Sequence, residues 1–166
     1  MYKKFNLNED KYIAVVVGAK RKQNRWPIEY FQEVIEYIIE NGYKVLLIGG
    51  VADVEITRNL KVNENTILFC GKLTPLESAS ILKLCKLTIT NDTGPMHISY
   101  AVDTPVVALF SARDFQNKWY PPKDKGVVFR DNSIECRICL SEICKNNKCM
   151  KSIHPSDVIK YLEKII

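Results

Sequence analysis

The most constraining stretch lies between residues 84 and 110. An apolar run from Leu84 to Thr90 ends on Asn91-Asp92, turns through Thr93-Gly94-Pro95, continues through Ile98 to Ala101 and re-enters an apolar run over Pro105-Val-Val-Ala-Leu-Phe110. The two apolar runs read as buried strands. Pro95 suits the first turn of a helix, because the N–H it lacks has no intrahelical partner there. A strand, a tight glycine-bearing turn and a helix N-terminus put free backbone N–H groups at the carboxyl end of a parallel sheet, a place suited to holding a phosphate. Asp92, Thr93 and His97 add a carboxylate, a hydroxyl and an imidazole at the same rim.

The rest of the chain repeats the alternation. Tyr12 to Val17 is a continuous apolar run, a strand buried on both faces. Gly18 to Asn24 is a basic loop with Lys20, Arg21 and Lys22. After Arg25-Trp26-Pro27, the positions Ile28, Phe31, Val34, Ile35, Ile38 and Ile39 keep helical spacing, with glutamates opposite. Asn41-Gly42 is a stop signal. Strands are expected over Tyr43–Ile48, Thr66–Cys70, Val106–Phe110 and Val127–Phe129. Helices are expected over Asp53–Leu60, from the Thr74-Pro75-Leu76-Glu77 capping box to about Cys85, and over Pro155–Ile165. Alternating strands and helices predict an α/β, Rossmann-like, doubly wound parallel sheet. Its ligand rim follows the strands, at 18–25, 49–55, 71–74, 92–97 and 111–114. Residues 1–11 read as a leader or linker, and 12–166 as one domain.

Composition narrows the partners. The formal net charge is +5, which favours an anionic ligand, an acidic glycolipid or peripheral contact with a membrane surface. No basic run interleaved with aromatics marks a nucleic-acid channel, so nucleic acid is not expected. The longest apolar runs are too short to cross a bilayer, no apolar stretch follows the basic start, and the chain reads as cytoplasmic. The loop after the first apolar run lacks Gly-x-Gly-x-x-Gly, which argues against an NAD site.

Asp92-Thr93-Gly94-Pro95-Met96-His97 followed by Thr104-Pro-Val-Val-Ala-Leu-Phe110 resembles the signature of glycosyltransferase family 9, the heptosyltransferases of lipopolysaccharide core synthesis and their relatives. Arg25-Trp26-Pro27 with Phe31, Leu47-Ile48-Gly49-Gly50 with Asp53 and Glu55, and Cys139-Leu140 through Cys149-Met150 to Pro155-Ser156-Asp157 resemble further parts of it in the same order. The resemblance implies the C-terminal, donor-binding half of a GT-B fold, which takes a nucleotide-diphosphate sugar such as ADP-heptose for transfer to lipopolysaccharide or another glycan. It places Thr93 and Gly94 on the diphosphate and Asp92 near the sugar, with Pro95, Met96 and His97 in the same motif. It implies an inverting reaction without a cofactor, whose base lies in an N-terminal acceptor domain that this chain does not carry. No catalytic residue is therefore assigned here, and transfer is expected to need a separate chain that supplies the acceptor domain.

Two departures stand out. The family commonly has a lysine two residues before its Trp-Pro, and here that position is Asn24. Lys20, Lys22 or Arg25 is then expected to supply the positive charge, with Gly18 in the same loop. Ser111-Ala112 stands where the family usually has Gly-Pro. Asp53 or Glu55 is the candidate for a nucleotide ribose, since a diol pairs well with a carboxylate. Of the six cysteines, Cys70 and Cys85 lie in apolar segments. Cys136, Cys139, Cys144 and Cys149 have spacing compatible with a structural zinc site; free thiols and disulfides are the alternatives. A reading of a different class is a non-catalytic nucleotide-sugar sensor or a zinc-stabilised interaction module.

Overall fold

The computed structural model describes Leu7 and residues 11–166; the leader expected over 1–11 lies outside the described residues apart from Leu7 and Lys11. The apolar runs form six strands: β1 (Tyr12–Val16), β2 (Lys44–Leu47), β3 (Thr66–Leu68), β4 (Cys85–Asn91), β5 (Val106–Leu109) and β6 (Gly126–Phe129). They build one sheet in the order β3-β2-β1-β4-β5-β6, with every pairing parallel. The helices are α1 (Ile28–Glu40), α2 (Val54–Thr57), α3 (Pro75–Leu82), α4 (Gly94–Ala101), α5 (Lys148–Lys151) and α6 (Pro155–Leu162).

The strand period of two sorts the core into layers. On β1, Ile13 and Val15 pack with Phe31, Val34, Ile35 and Ile38 of α1 and with Val158 and Leu162 of α6. Tyr12, Ala14 and Val16 point the other way and pack with Ile81 and Leu82 of α3. Met96 of α4 packs on Val106 and Ala108 of β5. All these side chains are buried, and each large one contributes roughly 1.5–3 kcal/mol relative to exposure. The glutamates of α1, Glu29, Glu33, Glu36 and Glu40, are exposed, which is why that helix settles on one face only.

Local chemistry explains where elements differ from expectation. The helix expected over Asp53–Leu60 is a 3-10 turn, Val51–Asp53, followed by a short α2. Thr57 Oγ1 donates to the carbonyl of Val54 at 2.7 Å, and the Asn59 amide reaches the carbonyls of Glu55 and Ile56 at 3.4 and 3.3 Å. These side chains compete for the carbonyls a longer helix would use. The capping box forms, with Glu77 N–H donating to Thr74 Oγ1 at 3.2 Å and Thr74 N–H to Glu77 Oε2 at 2.9 Å. The helix ends at Leu82 rather than Cys85, because Cys85 already pairs with Tyr12 in the sheet. α5 has no counterpart among the expected helices.

The strand order positions the site. From β1 the chain moves outward to β2 and β3; from β4 it moves the opposite way to β5 and β6. The loops leaving β1 and β4 therefore part over the centre of the sheet and leave a crevice beyond the strand ends.

Candidate functional site

Asn91, the last residue of β4, closes the base of this crevice. It is fully buried. Its amide nitrogen donates to the carbonyls of Val17 at 2.9 Å and Gly18 at 3.3 Å, and its oxygen accepts from Trp26 N–H at 3.0 Å. One side chain thus ties the end of β4 to the loop after β1 and to the start of α1. Trp26 is buried beneath, its indole N–H donating to the carbonyl of Ile153 at 2.8 Å.

Asp92 and Asn24 lie above that seam. The Asn24 amide donates to Asp92 Oδ2 at 3.2 Å, and Asn24 Oδ1 accepts from Ser111 Oγ at 2.8 Å. The two departures noted at positions 24 and 111 are therefore in contact with each other: a neutral amide stands where a lysine is usual, and the serine hydroxyl fixes its orientation. Burial pushes the Asp92 carboxyl above its usual range; His97 pulls it down, Asp114 raises it, and Arg21 lowers it. Thr93 has extended backbone at the N-cap of α4, yet its side chain makes no capping hydrogen bond. Gly94 follows at the helix start, and a Cβ built there meets nothing within 4 Å. The Gly94 N–H has no intrahelical partner at that position, and Thr93 and Gly94 both line the cleft.

Asp92, Thr93, Gly94 and His97 form one wall of a cleft of about 960 Å³. The turn Lys20–Asn24 forms the wall across from it. Lys20 and Lys22 have no ion-pair partner among the described residues, whereas Arg21 pairs with Glu142 at 3.7 Å. His97 Nδ1 shares a 2.7 Å hydrogen bond with the Tyr100 hydroxyl, which fixes the ring.

The structure sorts the expected site residues. Lys20, Lys22, Asp92, Thr93, Gly94 and His97 line the cleft; Arg25, Gly18, Asp53, Glu55, Pro95 and Met96 do not. Arg25 turns back, its Nε donating to the carbonyl of Ala19 at 2.8 Å. Asp53 caps its own turn, accepting from Gly50 N–H at 2.9 Å. Its carboxylate fills the space over Gly18, where a Cβ would sit 1.9 Å from Oδ1; Gly18 is a glycine to make room for Asp53. Glu55 is exposed and paired with Arg58 at 2.6 Å. Pro95 sits in the first turn of α4, and Met96 is fully buried in the core below it.

The zinc expectation meets a different geometry. All six cysteines are free, and among the described residues no group of three or more His, Cys, Asp or Glu side chains is arranged to hold a metal ion. Cys136, Cys139 and Cys144 are exposed, whereas Cys149 is buried. Burial raises the thiol of Cys149, and the nearby thiols of Cys136, Cys144 and Cys139 raise it further, so the four lie in one neighbourhood; burial pushes Cys70 and Cys85 up to about 11 and about 12, as expected for small core residues.

Other cleft residues carry weak sequence signals. Asp114 and Trp119 come from the loop after β5, and Glu142, Ile143 and Cys144 from the cysteine segment. That segment reaches the cleft because Arg113, only 6% exposed, holds it. Arg113 donates to the carbonyls of Leu140 and Ser141 at 2.9 and 2.5 Å and to the Glu142 carboxylate at 2.6 Å. Gln23 bonds the carbonyl of Glu142 from the opposite side. Among the described residues no helix is long and apolar enough to cross a membrane.

A six-stranded parallel sheet covered by helices, with a crevice where its strand order reverses, defines a protein of the Rossmann-like α/β class. The model of glycosyltransferase family 9 (heptosyltransferase) matches residues 2–150, and the chain belongs to that family. It is 30% identical over 172 residues to lipooligosaccharide heptosyltransferase 2 of Campylobacter jejuni, a match covering 95% of this chain and 52% of that protein. It is 38% identical over 121 residues to lipopolysaccharide heptosyltransferase 2 of Salmonella typhimurium, covering 67% and 35%. Among solved structures, a family 9 glycosyl transferase from Veillonella parvula superposes with a TM-score of 0.80 at 28% identity, over 99% of this chain and 49% of that one. The E. coli ADP-heptose lps heptosyltransferase II shares the fold, with a TM-score of 0.81 at 23% identity, over 99% of this chain and 49% of that one. The chain spans about half the length of these two structures and of the Campylobacter relative.

Proposed function

We propose that this chain is the donor-binding, C-terminal half of a family 9 glycosyltransferase, and that its cleft holds the diphosphate of a nucleotide sugar. The observation that carries the reading is the arrangement around the start of α4. Gly94 and Thr93, whose side chain makes no capping bond, share the cleft with a turn carrying Lys20 and Lys22, which have no ion-pair partner among the described residues. A helix N-terminus favours an anion electrostatically, and two lysines on the far wall would neutralise the charge that develops on a departing diphosphate. Asp92, oriented by Asn24, is placed to accept hydrogen bonds from the sugar. Relatives named as heptosyltransferases acting in lipooligosaccharide or lipopolysaccharide synthesis make an ADP-heptose-like donor and a glycolipid or other glycan acceptor the first substrates to test. Such an acceptor would place the enzyme at the inner face of a membrane.

No residue here is assigned as the base that deprotonates the acceptor. In this reading the base and the acceptor site belong to the other half of the enzyme, whether in the same or a separate chain, and inversion follows from direct attack on the donor. No cofactor is assigned. The four clustered cysteines are the residues that would hold a structural metal ion, and no step depends on one.

Calorimetry of the 166-residue chain with ADP, ADP-heptose and UDP-sugars tests the proposal. The expected result is saturable binding of at least one nucleotide sugar at millimolar concentration or below. Absence of binding by all of them at millimolar concentration would sink it.

A further inference from the structure

Trp119 lies outside the core. It is 60% exposed at the rim of the cleft, and its backbone has φ 66°, an unusual conformation for a bulky residue. The loop that presents it is nevertheless pinned at both ends. Arg130 donates to the carbonyl of Asp114 at 2.7 Å and to the Tyr120 hydroxyl at 3.4 Å. Tyr120 stacks edge-on against Phe110 with ring centroids 4.7 Å apart, and Lys118 pairs with Asp114 at 3.2 Å. The indole meets the His97 ring at a centroid distance of 6.4 Å and an interplanar angle of 85°, an edge contact. A strained, exposed aromatic held in place by ordered neighbours is the kind of outlier from which a functional role is inferred.

We propose that Trp119 is a stacking platform for the donor's sugar ring. The proposal rests on the reading that the diphosphate lies at the start of α4. His97, one turn into that helix, touches Trp119, so the indole lies beside the end of the cleft where the group attached to the diphosphate would emerge. One face of a pyranose is a patch of C–H groups that packs on an aromatic surface, while its hydroxyls need polar partners at the edge. Asp92 and Asp114 line the same cleft and supply carboxylates for those hydroxyls. Trp119 thereby selects for a sugar-bearing nucleotide over the bare diphosphate.

The chain has two tryptophans, and Trp26 is 2% exposed, so ligand-induced changes in tryptophan emission report chiefly on Trp119. Titration with ADP-heptose is expected to shift that emission saturably, and ADP alone to leave it nearly unchanged. By calorimetry, Trp119→Ala is expected to weaken ADP-heptose about tenfold while ADP affinity stays as in the parent, and Trp119→Phe to restore most of the loss. Equal ADP-heptose affinity in parent and Trp119→Ala overturns the platform. Equal weakening of ADP and ADP-heptose also overturns it, since the stacked group would then be the base. If the parent binds neither these ligands nor any UDP-sugar, the underlying reading fails and the platform with it; parent binding of ADP-heptose that Trp119→Ala leaves unchanged sinks the platform alone.

Discussion

At the scale of single residues, the site separates positions that hold the fold from positions that face the ligand. Asn91 belongs to the first group. Replacing it by alanine strips the buried Val17 carbonyl and Trp26 N–H of their partner. Each such group costs roughly 1–3 kcal/mol when left unsatisfied, so Asn91→Ala is expected to lower unfolding stability by about 2–4 kcal/mol in urea titrations. Gly94 belongs to the second group. A Cβ there meets open space, so Gly94→Ala should stay within about 0.5 kcal/mol of the parent in stability. Its methyl group would stand where a phosphate approaches, and nucleotide-sugar affinity should fall severalfold in the same calorimetric assay. Asp92 is intermediate. Burial raises its carboxyl, and a group with a raised folded-state pKa gives stability that is present at low pH and lost as pH rises through that value. Asp92→Asn should therefore melt no lower than the parent at pH 7, and any gain should vanish near pH 3. A melting temperature well below the parent's at pH 7 would mean that the ionised carboxylate is favoured by contacts that outweigh its burial.

At the scale of elements, regular segments were legible in the sequence, whereas irregular ones were legible only as loops. α1 announces itself because the spacing of Phe31, Val34, Ile35 and Ile38 can satisfy one geometry only, and β1 because an unbroken apolar run must be covered on both faces. The shortness of α2 was hidden, since it depends on which carbonyls Thr57 and Asn59 capture. The path of residues 136–149 was equally hidden. It is set by one arginine, Arg113, whose guanidinium holds carbonyls 27 and 28 positions away, and by non-glycine residues in left-handed backbone at Ile138, Leu140 and Asn147. The spacing of the cysteines suggested a closed metal site, but spacing does not say which thiols are buried and which are exposed. With Cys136, Cys139 and Cys144 exposed and Cys70, Cys85 and Cys149 buried, a colorimetric thiol reagent under native conditions should modify three groups quickly and the other three only on unfolding. A fast count below three in the reduced, metal-free protein would contradict this arrangement.

At the scale of the whole molecule, the sheet order matters more than any single motif, because it brings residues 20–24 and 92–97 to opposite sides of one crevice. The sequence rim predicted from strand ends included both segments. It also included 49–55, which the structure uses to cap a turn and fill the space over Gly18; periodicity locates a rim but not which part of it a neighbouring side chain occupies. The cleft's charge is a property of this assembly. With Asn24 neutral and Arg21 shared with Glu142 at 3.7 Å, the cleft-lining cations without an ion-pair partner among the described residues are Lys20 and Lys22, both exposed. Exposed charges are screened within about 8–10 Å at physiological ionic strength. The affinity of the chain for ADP should accordingly fall as salt is raised from low to physiological concentration. The double variant Lys20→Ala, Lys22→Ala should bind about tenfold more weakly at low salt and show a flatter salt dependence, because its remaining contacts to Thr93 and Gly94 are short hydrogen bonds that salt screens little. Titrations at two ionic strengths decide the matter. If parent and variant lose affinity in parallel as salt rises, the anion is met by charges other than these two lysines, and the diphosphate lies elsewhere along the rim.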